Sequence, residues 1–220
     1  MPKLIFLAFL IFCCTTTSGC IGRLFSSITP QRTVELRDST QSVKPAVRPA
    51  PSIQISMFKD GRDHKECVGK VYDNIGMYVT DLKLEGGHNL EDKLKFLIAD
   101  SLIRDGYDVS FVANSKVDVV VSGTIYEFEI EEKSDAPLFD DRKSNLVNRN
   151  IKLSTGLADI ELKMCSMNNN KCEDKNLHIY KPKIHLTAQE LATNMAASII
   201  TEAKSFITTA QREKGKGVGP

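Results

Sequence analysis

The chain has 220 residues, with 29 basic and 28 acidic side chains, ten Phe, five Tyr and no Trp. Charge this balanced excludes the clustered basic excess of a nucleic-acid surface. The length fits one domain plus a tether, with an aliphatic core and a few aromatics.

Lys3 precedes an apolar run from Leu4 to Cys14, and Thr15 to Gly19 are small. A positive start, an apolar middle and small residues before the cut make a signal peptide. Eleven apolar residues fall short of the roughly 20 that span a bilayer as a helix. Thr17-Ser18-Gly19-Cys20 resembles the bacterial lipobox, with Thr17 where Leu is usual. Cys13 and Cys14 lack a small residue directly before them, so Cys20 is the expected lipidation site. Ordinary secretion with cleavage nearby is the alternative. Residue 21 is Ile, and in the lipoproteins this leader resembles, the absence of Asp there implies forwarding to the outer membrane. Expected boundaries are 1–19 for the leader and 20–52 for a lipidated N-terminus and flexible tether. The globular domain is 53–210 and a disordered tail 211–220. The tether reading rests on Pro30, Pro45, Pro49 and Pro51 and on the want of an apolar period.

Ile53, Ile55 and Met57 alternate with polar residues as a strand does, and Asp60-Gly61-Arg62-Asp63 ends it as a turn. Gly69 to Gly76 reads as irregular and Met77 to Leu84 as a short strand. Asn89 is a helix N-cap, and Leu90, Leu94, Leu97, Ile98 and Leu102 make one apolar face up to the stop at Gly106. Tyr107 to Val112 and Val117 to Glu131 are strands, the latter with a bend expected at Gly123. Glu127, Glu129, Glu131 and Glu132 read as a row facing water or a partner. Lys133 to Asn150 is a long charged loop.

Lys152 to Cys165 and Lys175 to Lys181 pair as a hairpin that Pro182 ends. Cys165 and Cys172 flank its polar tip, and a disulfide across that tip would pin it, although spacing alone does not fix connectivity. Cys67 is then the odd thiol. His64, Cys67, Cys165 and Cys172 make only a loose zinc-like pattern. Thr187-Ala188-Gln189-Glu190 is a capping box opening a last helix whose apolar positions include Leu191, Met195 and Ile199. The fold class expected is α+β, a two-layer domain with a mostly antiparallel sheet packed by two helices on one face.

Met57 to Asp63 resembles the Asp-x-Arg turn of the YajG-like lipoproteins. Val68-Gly69-Lys70-Val71 with Asn74, Tyr78 to Asp81, the helix ending at Asp105-Gly106, and Val117 to Val121 follow in the same order. The resemblance runs from about residue 53 to 206, plus the leader. It implies an envelope lipoprotein with a compact α+β domain and no established chemistry.

Asp60, Arg62 and Asp63 are the densest charged turn and the expected binding residues. Paired carboxylates can do acid–base work where a cleft joins them, so a hydrolase using Asp60 and Asp63 is one alternative. No serine lies in a nucleophile elbow, no glycine-rich phosphate loop is present, and the four histidines lack the spacing of a helical zinc site. The expectation is a non-enzymatic lipoprotein without cofactor or metal. It is held to the membrane by its N-terminal lipid and binds an envelope protein, not nucleic acid. A lipid or small-molecule carrier with a cavity between sheet and helices is the other alternative.

Overall fold

The computed structural model describes residues 32–41, 51–113, 116–134, 152–168 and 170–215. The leader, Cys20 and the acidic stretch around Asp140-Asp141 lie outside them.

Eight strands form one mixed sheet. They are β1 (Arg32–Val34), β2 (Ser52–Asp60), β3 (Gly69–Tyr72), β4 (Tyr78–Leu84), β5 (Asp108–Ser110), β6 (Val119–Ser134), β7 (Lys152–Ser166) and β8 (Lys171–Ile184). Helix α1 is Leu90–Asp105 and helix α2 is Ala188–Gly215. The long ladders, β6 with β7 and β7 with β8, are antiparallel, as is β3 with β4. The pairings β1–β4, β2–β5, β2–β6 and β3–β6 are parallel. The α+β architecture and the mostly antiparallel sheet are therefore as expected, with parallel pairs added along β2, β3 and β1. The reason is local: β2 and β3 both run alongside β6 in its own direction, one after the other.

Strand parity decides what is buried. On β7, Ser154, Gly156, Ala158, Ile160, Leu162 and Met164 point inward, and Leu177 and Ile179 do so on β8. Leu94 and Ile98 of α1 and Leu191, Met195 and Ile199 of α2 close over this face with essentially no exposure. The helices touch each other, α1 lying on β2 and β5 and α2 on β6, β7 and β8. Lys204 of α2 joins them through Asp105 (2.6 Å) and Ser101 (3.1 Å) of α1.

Several expectations are corrected. Residues 32–41 belong to the fold and not to a tether. Arg32 to Val34 pair with Leu82 to Leu84, and Val34 and Leu36 enter the core. Two apolar side chains among polar neighbours suffice because β4 supplies the partner strand. The stretch read as irregular contains β3. The irregularity along β6 is double: its ladder with β2 shifts register just before Gly123, which lies opposite Phe58, and its ladder with β7 shifts between Ile125 and Glu127. Gly123 also makes room: a Cβ there would lie 2.6 Å from the Phe58 ring. β8 continues past Pro182, which an edge strand tolerates because one side of its ladder is unpaired. Helix α2 runs on to Gly215, five residues into the segment read as tail.

Candidate functional site

β6 is longer than either strand beside it. Its outer edge is covered by β2 as far as Ile125 and by β3 from Ile130. Between them the chain makes an excursion from Gly61 to Val68, and backbone groups of β6 would be left bare. Gly61 N–H donates to the Ile125 carbonyl (2.9 Å), and Ile130 N–H donates to the Val68 carbonyl (3.0 Å). Arg62 fills the gap. Its Nη1 donates to the carbonyls of Cys67 (2.8 Å) and Phe128 (3.3 Å). Its Nε and Nη2 grip Asp60 at 3.0 and 2.8 Å. Both side chains are buried. Burial opposes ionisation of Asp60, but the hydrogen bonds and charge of Arg62 outweigh it and hold the carboxyl below its usual range.

Of the three expected binding residues, Asp60 and Arg62 are thus joined to each other and spent on the backbone. Asp63 is exposed. It lines a cleft of about 340 Å³ with Arg62, His64, Cys67, Lys70, Tyr126 and Glu129, and Asp60 is not part of that lining. Asp60 is taken up by Arg62, so the two carboxylates do not share this cleft. Burial pushes the Cys67 thiol up, with Asp81 adding to the effect, so it stays protonated near neutrality and is a poor nucleophile.

Cys165 and Cys172 form a disulfide across adjacent β7 and β8, with Cα atoms 4.0 Å apart. That pairing removes the zinc-like set. Among the described residues no cluster of three or more His, Cys, Asp or Glu could hold a metal.

Glu132 is the charged residue that sequence reasoning misplaced. It lies on the buried face with Phe128 and Ile130, 2% exposed. Arg32 reaches it at 2.5 Å, Lys152 at 3.2 Å, and it accepts from Ala188 N–H at the start of α2 (2.7 Å). Burial again works against the charge, while these partners prevail and hold the carboxyl low. An anion at a helix N-terminus also complements the dipole. The parity of β6 carried the signal: Glu131 and Glu132 are consecutive, so they cannot face the same way.

A groove of about 950 Å³ lies between β8 and α2. Its floor is β8 from Asn176 to Lys181, and its wall is Asn194, Ala197, Ser198, Thr201 and Glu202 of α2. β8 pairs with β7 alone among the described strands, so its other edge borders this groove. The space between the layers, by contrast, is occupied. A Cβ on Gly156 would lie 2.4 Å from the Met195 sulfur.

The sequence matches no family model and no curated protein. Among solved structures, protein XCC0632 from Xanthomonas campestris, assigned to DUF330, superposes with a TM-score of 0.52 at 11% identity, covering 84% of this chain and 99% of that one. The likeness is one of fold. Lipoprotein GNA1162 from Neisseria meningitidis overlaps more loosely, with a TM-score of 0.34 at 11% identity over 71% of this chain and 99% of that one. Among the described residues, no helix is long and apolar enough to cross a membrane.

Proposed function

We propose that the chain is a YajG-like lipoprotein, fixed through lipid on Cys20 to the periplasmic face of the bacterial outer membrane. It acts there by binding an envelope protein in assembly or transport. The leader and the lipobox-like segment support the anchoring. One observation carries the binding: the open edge of β8 beside its groove. An extended segment of a partner adds to such an edge through main-chain hydrogen bonds, and its alternate side chains read the pockets alongside. Here those side chains would meet the short Ala197, Ser198 and Thr201, which leave room for them.

Site-specific photo-cross-linking in intact cells tests this. A reactive residue at Tyr180, exposed on β8, is expected to give one discrete adduct that maps to an extended segment. The same group at Met57, exposed on β2, gives none. Identical patterns from both positions, or no adduct at Tyr180, would end the binding reading. Labelled palmitate entering the native chain but not Cys20→Ser tests the anchor separately.

A further inference from the structure

The turn joining β3 to β4 carries the most continuous exposed apolar sequence among the described residues. Ile75, Met77, Tyr78 and Val79 are 58%, 62%, 55% and 40% exposed. The turn is nonetheless fixed. Asp73 Oδ1 accepts from the N–H of Ile75 (3.0 Å) and of Met77 (2.7 Å). Asp73 N–H donates to the Met77 carbonyl (2.9 Å), Gly76 N–H donates to the Asp73 carbonyl (3.1 Å), and Gly76 takes the left-handed φ of 85°. The Tyr72 and Tyr78 rings meet edge-on behind it. Four backbone N–H groups and two carbonyls of the turn are paired within it, which lowers the cost of leaving water.

Strand direction says which end of the molecule this is. Tyr72 lies opposite both Tyr78 and Lys133, so the turn sits at the C-terminal end of β6. β1 runs parallel to β4, with Arg32 opposite Leu82 and Val34 opposite Leu84. The first residue of β1 is therefore its end nearest Tyr78, and the chain enters the domain from the side of the apolar turn. Eleven residues separate Cys20 from Arg32, a contour of at most about 40 Å.

We infer that the β3–β4 turn is a membrane-contacting tip, with Ile75, Met77, Tyr78 and Val79 seated in the bilayer interface beside the lipid anchor; this rests on the anchoring at Cys20 proposed above. Tyrosine suits that depth because its ring is apolar and its hydroxyl wet. Lys133, whose Nζ would lie 3.8 Å from a Cβ on Gly76, supplies a cation for anionic headgroups. The opposite end of the molecule is the β7–β8 tip at Met167. The fifteen-residue β6–β7 ladder places it far away, about 50 Å along the strands.

The chain contains no tryptophan, so a single introduced one reports alone. The lipidated full-length protein, carrying Ile75→Trp, Val79→Trp or Met167→Trp, is reconstituted into phosphatidylethanolamine–phosphatidylglycerol vesicles with and without brominated acyl chains. Flotation is scored in the same samples. The expected result is that all three float, and that the Trp at 75 or 79 shifts to the blue and loses most of its emission to bromine while that at 167 does not. Two reporters guard against one substitution perturbing the turn. Flotation with water-like, unquenched emission at both 75 and 79 overturns the tip while leaving the anchor standing. Equal quenching at 167 also overturns it. Failure to float overturns the anchor and the tip with it.

Discussion

Arg62 donates to the Phe128 carbonyl from 3.3 Å away, in the one stretch of β6 that neither β2 nor β3 covers. A side chain thereby stands in for a missing strand residue. Removing it leaves the Phe128 and Cys67 carbonyls without this donor, and Asp60 buried without its countercharge. Arg62→Ala is expected to cost about 3–5 kcal/mol in urea unfolding. Arg62→Lys should recover only part of that, because an ammonium lacks the planar fork that serves Asp60 and two carbonyls together. A ligand-binding arginine would behave otherwise, leaving the unfolding midpoint unmoved.

Glu132 and Asp60 set the acid limit of the domain. Both carboxyls titrate below their usual values in the folded protein. Folding therefore favours their ionised forms. Their contribution is complete above the unfolded carboxyl range of about 4 and is lost as pH falls through the depressed values. Thermal unfolding followed from pH 7 to pH 2 should show Tm falling steeply only below about 4. Glu132→Gln should lower Tm at pH 7 and make the acid decline shallower. An unchanged acid slope in that variant would remove Glu132 from the account.

Gly69 and Gly123 are set by contact, not by turn geometry. A Cβ on Gly69 would lie 2.0 Å from the Ile130 carbonyl oxygen, a backbone atom in a paired strand. On Gly123 it would meet the Phe58 ring, a side chain that can turn. Gly123→Ala is expected to cost about 1–3 kcal/mol through overpacking. Gly69→Ala should be far worse, abolishing cooperative unfolding by near-UV circular dichroism. Equal effects from the two substitutions would contradict the distinction.

Much of this fold is legible where the signal is local. The α1 face from Leu90 to Leu102 and its stop at Gly106, left-handed at φ 95°, follow from spacing and one glycine. The capping box is present as read: Thr187 N–H donates to Glu190 Oε2 (2.8 Å), and Glu190 N–H donates to Thr187 Oγ1 (3.2 Å). What escapes is non-local. β1 and β3 are three and four residues long and exist because β4 and β6 offer edges. No window of their own sequence carries that information. The same holds at the charged turn. Asp60-Gly61-Arg62-Asp63 is conspicuous in the sequence, yet its purpose is the gap along β6, which only pairing reveals.

The disulfide between Cys165 and Cys172 closes a short loop at the tip of the β7–β8 hairpin. Short loops gain little in the chain-entropy account, about 2 kcal/mol for this separation. Cys165→Ala/Cys172→Ala should therefore unfold at lower urea but still fold. If the variant fails to fold at all, the bridge has a larger role than closing its own loop.

Cys67 is the free thiol among the described cysteines, and its surroundings set its reactivity. Burial raises its pKa, and the nearby Asp81 raises it further; Arg62 and Lys70 pull the other way without prevailing. Only the thiolate attacks alkylating reagents. Iodoacetamide should therefore modify Cys67 more slowly in the native protein at pH 7 than in urea. Mass mapping after timed quenching reads this directly. Raising pH should speed the native reaction, and Asp81→Asn should speed it at fixed pH by removing the charge that disfavours the thiolate. Native labelling as fast as in urea would mean that the thiol is neither shielded nor held protonated, and the cleft beside Arg62 would then regain a claim to chemistry.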